Sequence, residues 1–140
     1  GWNEEVLFKN QFPLIKIDNG YSKITDLLKK SKIVLHTYIG TGYLETLASN
    51  FPTVVFANIN ECLINNETKE YLEILKKVNI FHDNYSSAAK FINDNWQNID
   101  NWWNKEETQK ARTIYCDKFV KSNKNIVDKL YKIINEQKKF

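Results

Sequence analysis

The stretch Ile33-Val34-Leu35-His36-Thr37-Tyr38-Ile39-Gly40-Thr41-Gly42-Tyr43-Leu44-Glu45-Thr46-Leu47-Ala48-Ser49-Asn50-Phe51-Pro52-Thr53-Val54-Val55-Phe56-Ala57 decides the fold class. Two runs rich in β-branched residues, 33–37 and 53–57, bracket a segment in which Leu44, Leu47, Ala48 and Phe51 recur at helical spacing. Pro52 stops that helix. Apolar runs joined through a helix, rather than a two-residue turn, predict parallel strands in a right-handed βαβ unit.

Working upstream, Leu14-Ile15-Lys16-Ile17 is predicted as a strand closed by the turn Asp18-Asn19-Gly20. A helix on Ile24, Leu27 and Leu28 follows and ends in the cations of Lys29-Lys30-Ser31-Lys32. Downstream, Asn65 or Asn66 can cap a helix bearing Tyr71, Ile74, Leu75 and Val78. Ile80-Phe81-His82 is predicted as a short fourth strand. Ser86 or Ser87 then caps a helix that faces Ala88, Phe91, Ile92, Trp96 and Ile99 inward, and Trp102-Trp103 marks a joint. Helices on Ala111, Ile114, Tyr115 and Phe119, then on Ile126, Leu130, Tyr131 and Ile134, finish the chain. The expected architecture is α/β, a Rossmann-like three-layer parallel sheet with C-terminal helices. Residues 1–140 form one expected domain, with an α/β core over 1–100 and a helical appendage over 101–140.

Composition narrows the function. The chain has 140 residues, within the usual range of about 100–200 for one domain, and is 42% hydrophobic and 26% charged, a globular balance. Its apolar runs are too short to span a bilayer. The formal net charge of +3 rests on many lysines and one arginine, Arg112. Nucleic-acid readers rely on bidentate arginine, so no nucleic acid is an expected partner. A weak attraction of the basic surface to the inner membrane face is compatible with this charge. Two cysteines, Cys62 and Cys116, suggest neither a disulfide framework nor a zinc site, which points to a reducing, cytoplasmic setting. No methionine occurs anywhere, so the chain reads as a processed or excised piece of something longer.

Ligands of open parallel sheets bind outside the carboxyl ends of strands, where loops lead into helices. Half of the four glycines, Gly40 and Gly42, fall in one such loop. Glycine permits positive φ and close backbone approach, Thr37 and Thr41 add hydroxyls, and the next helix offers free N–H groups. This combination suits an anion, most simply a nucleotide phosphate. Glu45, read as lying in the first turn, stands off the Leu44/Leu47/Ala48 face. A capping box would need Ser or Thr three residues earlier, where Gly42 stands. Two readings remain: a carboxylate that accepts ribose hydroxyls, or one that only complements the helix dipole. His36, at the strand end beside the loop, either bonds locally or contacts phosphate or sugar.

The block from Ile24 to Tyr38, together with Thr41-Gly42-Tyr43-Leu44-Glu45-Thr46-Leu47-Ala48-Ser49-Asn50-Phe51-Pro52-Thr53-Val54-Val55-Phe56, resembles the donor-binding half of GT-B glycosyltransferases. It is most similar to a family of bacterial surface-carbohydrate biosynthesis transferases. Gly1-Trp2, Asn79-Ile80-Phe81-His82, Trp102-Trp103 and Ala111-Arg112 with Cys116 extend the likeness over nearly the whole chain. The resemblance implies a nucleotide-sugar donor held by Gly40, Thr41 and Gly42 at the phosphate and by Glu45 at the ribose. It also implies an acceptor domain on the N-terminal side that supplies the base. No cofactor is expected, and no metal site either, since His36 and His82 lie far apart in sequence and neither has a close ligand partner. Two positions depart from the family pattern: Gly40 stands where Ser is usual, and Asn79 where Gly is preferred.

Three functions stay open on these residues: a glycosyltransferase-like donor domain, a sugar-nucleotide epimerase-like domain, and a non-catalytic interaction module. Trp96, Trp102 and Trp103 could stack on sugar, but this spacing more often anchors helices to a sheet. His82 sits at a strand end like His36, with less around it. Cys116 reads as an inert buried thiol.

Overall fold

The computed structural model describes residues 4–62 and 64–120, and they divide into two compact units, one ending at Ser31 and one beginning at Lys32. The predicted helix on Ile126, Leu130, Tyr131 and Ile134 lies outside the described residues, as do Gly1 and Trp2.

The first unit holds α1 (Glu4–Gln11) and α2 (Ile24–Leu28). Between them the turn at Asp18 forms as expected. Its carboxylate accepts from the Gly20 N–H (2.7 Å) and from the Ser22 hydroxyl, and Gly20 takes φ +85°. The strand predicted at residues 14–17 does not form. A strand is stabilised by a neighbour that takes its hydrogen bonds, and none of the described strands pairs with this run. Leu14 is 96% exposed, with Ile15 and Ile17 also open to solvent.

The second unit is an α/β sheet domain. Strands β1 (Val34–His36), β2 (Thr53–Phe56) and β3 (Phe81–His82) run parallel in the order β1-β2-β3. Val34 pairs with Thr53 and His36 with Val55, while Phe56 pairs with His82. The crossovers are α3 (Thr41–Ala48) and α4 (Asn66–Lys77). After β3 come α5 (Tyr85–Asn95), α6 (Ile99–Trp103) and α7 (Glu106–Phe119). On β2, Val54 and Val55 point to opposite faces and both are fully buried, so helices cover the sheet on both sides. Helix α7 packs against both α3 and α4, whereas α5 packs on β2 and β3. Leu47, Leu72, Leu75, Ile80, Phe81, Ile99 and Tyr115 fill the core.

Local chemistry explains the boundaries. The Asn65 side chain caps α4 by accepting from Thr68 N–H (2.8 Å). Asn84, not Ser86 or Ser87, caps α5, and its Oδ1 accepts from Ser87 N–H (2.9 Å). An asparagine two residues before Ser86 leaves the serines inside the first turn.

The two helix-to-strand joints are built alike. After α3, Asn50 takes φ +52°, and Phe51 N–H reaches back to the Thr46 carbonyl (3.0 Å). After α4, Asn79 takes φ +60°, and Ile80 N–H reaches back to Leu75 (3.0 Å). Both are Schellman ends with a left-handed asparagine. A left-handed φ at position 79 is one that glycine adopts at the least cost. Asn79→Gly is expected to add about 0.5–1 kcal/mol of stability, and Asn79→Ala to lose a similar amount, by chemical denaturation.

The adjacent tryptophans bind these joints. Trp102 Nε1–H donates to the Val78 carbonyl (2.8 Å), and Trp103 Nε1–H to the Asn50 carbonyl and side chain (3.1 Å each). Helix α6 therefore crosses the edge at which β2 and β3 begin, as an anchor. Arg112 is structural too: its Nη1 donates to the Leu47 carbonyl (2.9 Å) and so ties α7 to the C-terminal end of α3.

Candidate functional site

Because the strands are parallel, their carboxyl ends share one edge. There β1 ends at His36, and the exposed residues Thr37 and Tyr38 lead through Ile39 and Gly40 into α3. Gly40 occupies the cap position, where it has no side chain to close the helix, so α3 opens with unsatisfied N–H groups. Thr41 is exposed at its first position.

The glycines work differently from the expectation of positive φ. Gly40 is extended (φ −125°, ψ −164°), and Gly42 is not among the left-handed residues. At Gly40 the absent Cβ leaves room for the Tyr38 ring, which a Cβ would overlap. At Gly42 a Cβ would meet His36 Cε1 at 3.4 Å and Nδ1 at 3.6 Å, ordinary contact distances, so the imidazole lies beside the first turn of α3.

His36 bonds to a side chain, not to local backbone: Nε2 lies 3.1 Å from Thr46 Oγ1 on α3. The Tyr43 ring meets the imidazole edge-on at 6.4 Å. Burial depresses the basicity of His36, so the ring is neutral at pH 7. Tyr43 continues inward, its hydroxyl 2.7 Å from that of Tyr115 in the core. Burial pushes both phenols upward.

Glu45 lies beyond the first turn, because α3 begins at Thr41. The dipole interaction fades within one turn, so this position weakens the purely electrostatic explanation for a carboxylate here. The side chain is exposed and has no hydrogen-bond or ion-pair partner among the described residues. The structure therefore joins His36, Thr37, Gly40, Thr41 and Gly42 in one strand–loop–helix corner, with Glu45 one turn along.

The family model of LIC12162 family transferases matches residues 1–134. The chain belongs to this family. No curated protein and no solved structure matches it. The family is one of transferases, in agreement with the reaction class that the sequence resemblance implies.

His82 and Cys116 of this LIC12162 family transferase are accounted for by structure. His82 is buried, donates Nε2–H to the Asn79 carbonyl (3.2 Å) and places Nδ1 3.2 Å from the Ser87 hydroxyl. Both ring nitrogens are engaged, so His82 braces the joint before β3. Cys116 is half-buried rather than buried, and burial still pushes its thiol up even with Arg112 beside it, as an inert thiol requires. Among the described residues, no group of three or more His, Cys, Asp or Glu side chains could hold a metal. No described helix is long and apolar enough to cross a membrane.

Sequence reasoning missed one hollow of about 400 Å³, lined by Asn58, Ile59, Lys69, Glu73, Lys76 and Asp83. Lys76 pairs with Asp83 and, at 3.7 Å, with Glu73. These residues come from the loop after β2, from α4 and from the residue after β3. The i, i+4, i+7 spacing places Lys69, Glu73 and Lys76 on one face of α4, but no local spacing could have added Asn58, Ile59 and Asp83 to them.

The two histidines set a pH dependence. Burial lowers both folded-state pKa values below the ordinary histidine value. The unfolded chain then binds more protons, and stability falls as pH drops below about 6.5. Melting temperatures at pH 7.5 and 5.5 should show this decline, and His82→Gln should reduce it.

Proposed function

We propose that this transferase domain binds the nucleotide of an activated sugar at the carboxyl edge of its sheet, as the donor half of a GT-B-type enzyme of surface-carbohydrate assembly. The observation that carries the reading is the uncapped N-terminus of α3, the element that follows β1, flanked by His36, Thr41 and a Glu45 without a side-chain partner among the described residues. The N–H groups at Gly40, Thr41 and Gly42 would hold a phosphate, aided by the hydroxyls of Thr37 and Thr41. Glu45 would accept the ribose hydroxyls. Held this way, the nucleotide leaves as a stabilised anion when the sugar is transferred, an electrostatic contribution to catalysis. The acceptor and its base belong to a second domain across the cleft.

Calorimetry against a panel of nucleoside mono- and diphosphates tests this. One base should bind in the micromolar to millimolar range, since half of the enclosing surface is missing. No heat with any nucleotide would leave an interaction module as the better reading. Epimerised product from a nucleotide sugar without acceptor would favour the epimerase.

A further inference from the structure

The contact between His36 and Thr46 contains more information than its length. The Thr46 hydroxyl donates to the Tyr43 carbonyl (3.0 Å) and carries one hydrogen, so toward His36 Nε2 it can only accept. The imidazole must then carry its proton on Nε2 and leave Nδ1 as a bare lone pair. The Cε1–Nδ1 edge lies against Gly42, in the first turn of α3. There the positive end of the helix favours a lone pair over an N–H or a cation. Thr46 is 3% exposed, so no solvent competes for its hydroxyl.

We infer that Thr46 is a positioning residue that holds His36 in the Nε2–H tautomer with Nδ1 against the start of α3, so that a nucleotide phosphate arriving there is bound together with one proton on Nδ1. This rests on the nucleotide reading above. An anion reverses the local field: it neutralises the helix end and turns the position from one that repels an imidazolium into one that attracts it. The proton comes from solvent, and the N–H formed on Nδ1 donates to a phosphate oxygen. The other groups around the ring do not compete for this role. From α3 the titratable neighbour is Tyr43, a phenol held protonated, and β2 presents Val55 in register with His36. No charged side chain among the described residues contributes to the ring's lowered basicity.

Long-range proton–nitrogen NMR of the labelled protein reads the tautomer directly, without ligand. The expected result is Nε2–H in the wild type, loss of that preference in Thr46→Val, and its return in Thr46→Ser. An Nδ1–H ring in the wild type, or an unchanged tautomer in Thr46→Val, would overturn the positioning role. The His36 titration is then repeated with saturating uridine, cytidine, adenosine and guanosine diphosphates and cytidine monophosphate. With the nucleotide that binds, its midpoint should move up by about one pH unit, equivalent to roughly tenfold tighter binding to the protonated form. Binding with an unmoved midpoint overturns proton uptake alone, whereas no binding by any of the five overturns the nucleotide reading itself.

Discussion

Trp103→Ala should destabilise the protein by about 3–5 kcal/mol, the usual range for deleting a buried large aromatic. The indole is 3% exposed, packs on Trp102 at 5.4 Å between ring centroids, and donates to the carbonyl and side chain of Asn50. Truncation opens a cavity and removes the donor that braces a left-handed residue. Trp103→Phe is the milder truncation. It keeps an aromatic ring in the pocket but removes three ring atoms, the N–H among them, so a smaller loss, about 1–3 kcal/mol, is expected. Chemical denaturation of both variants measures the difference. Helix α6 lies at the edge where strands begin and the start of α3 at the edge where they end, so the folded fraction of either variant should bind nucleotide with unchanged affinity. A folded Trp103→Phe that lost nucleotide binding would show that the tryptophan pair serves ligand rather than structure.

The stretch from Ile33 to Ala57 was legible because each local signal agreed with the tertiary outcome. β-Branched runs became β1 and β2, and the helical period became α3. Pro52, the expected stop, follows a left-handed Asn50 that had already ended the helix. Where local and tertiary demands parted, sequence reasoning failed. The run Leu14-Ile15-Lys16-Ile17 has the composition of a strand, but a strand is defined by its neighbour, and composition does not say whether one is present. The serines before Ala88 were good caps, yet Asn84 took the role because it came first. In the site, the corner of His36, Gly40, Thr41 and Gly42 followed from the βα rule, while the placement of the His36 ring beside the first turn of α3 did not. A contact between residues six apart across a strand–helix corner leaves no mark in φ preference or periodicity. The same holds for Thr46, whose role depends on which way one hydroxyl hydrogen points.

Glu45→Gln is the sharpest test of the site. The substitution keeps the size of the side chain, removes the charge and turns one acceptor oxygen into a donor. Hydrogen bonds that involve a charged partner contribute about 1.5–3 kcal/mol, so nucleotide affinity should fall roughly ten- to a hundred-fold. Stability should barely change, since Glu45 is exposed, unpartnered among the described residues and past the first turn of α3. Leu47→Ala, two residues on, reverses the pattern. Leu47 is fully buried in the core, and its truncation should cost about 2–5 kcal/mol of stability while touching no ligand atom. Paired melting curves and nucleotide titrations of the two variants give four numbers, and the proposal fixes the direction of each. If Glu45→Gln melts early while its folded fraction binds nucleotide normally, Glu45 is a structural residue and the ribose contact must be sought elsewhere on the carboxyl edge.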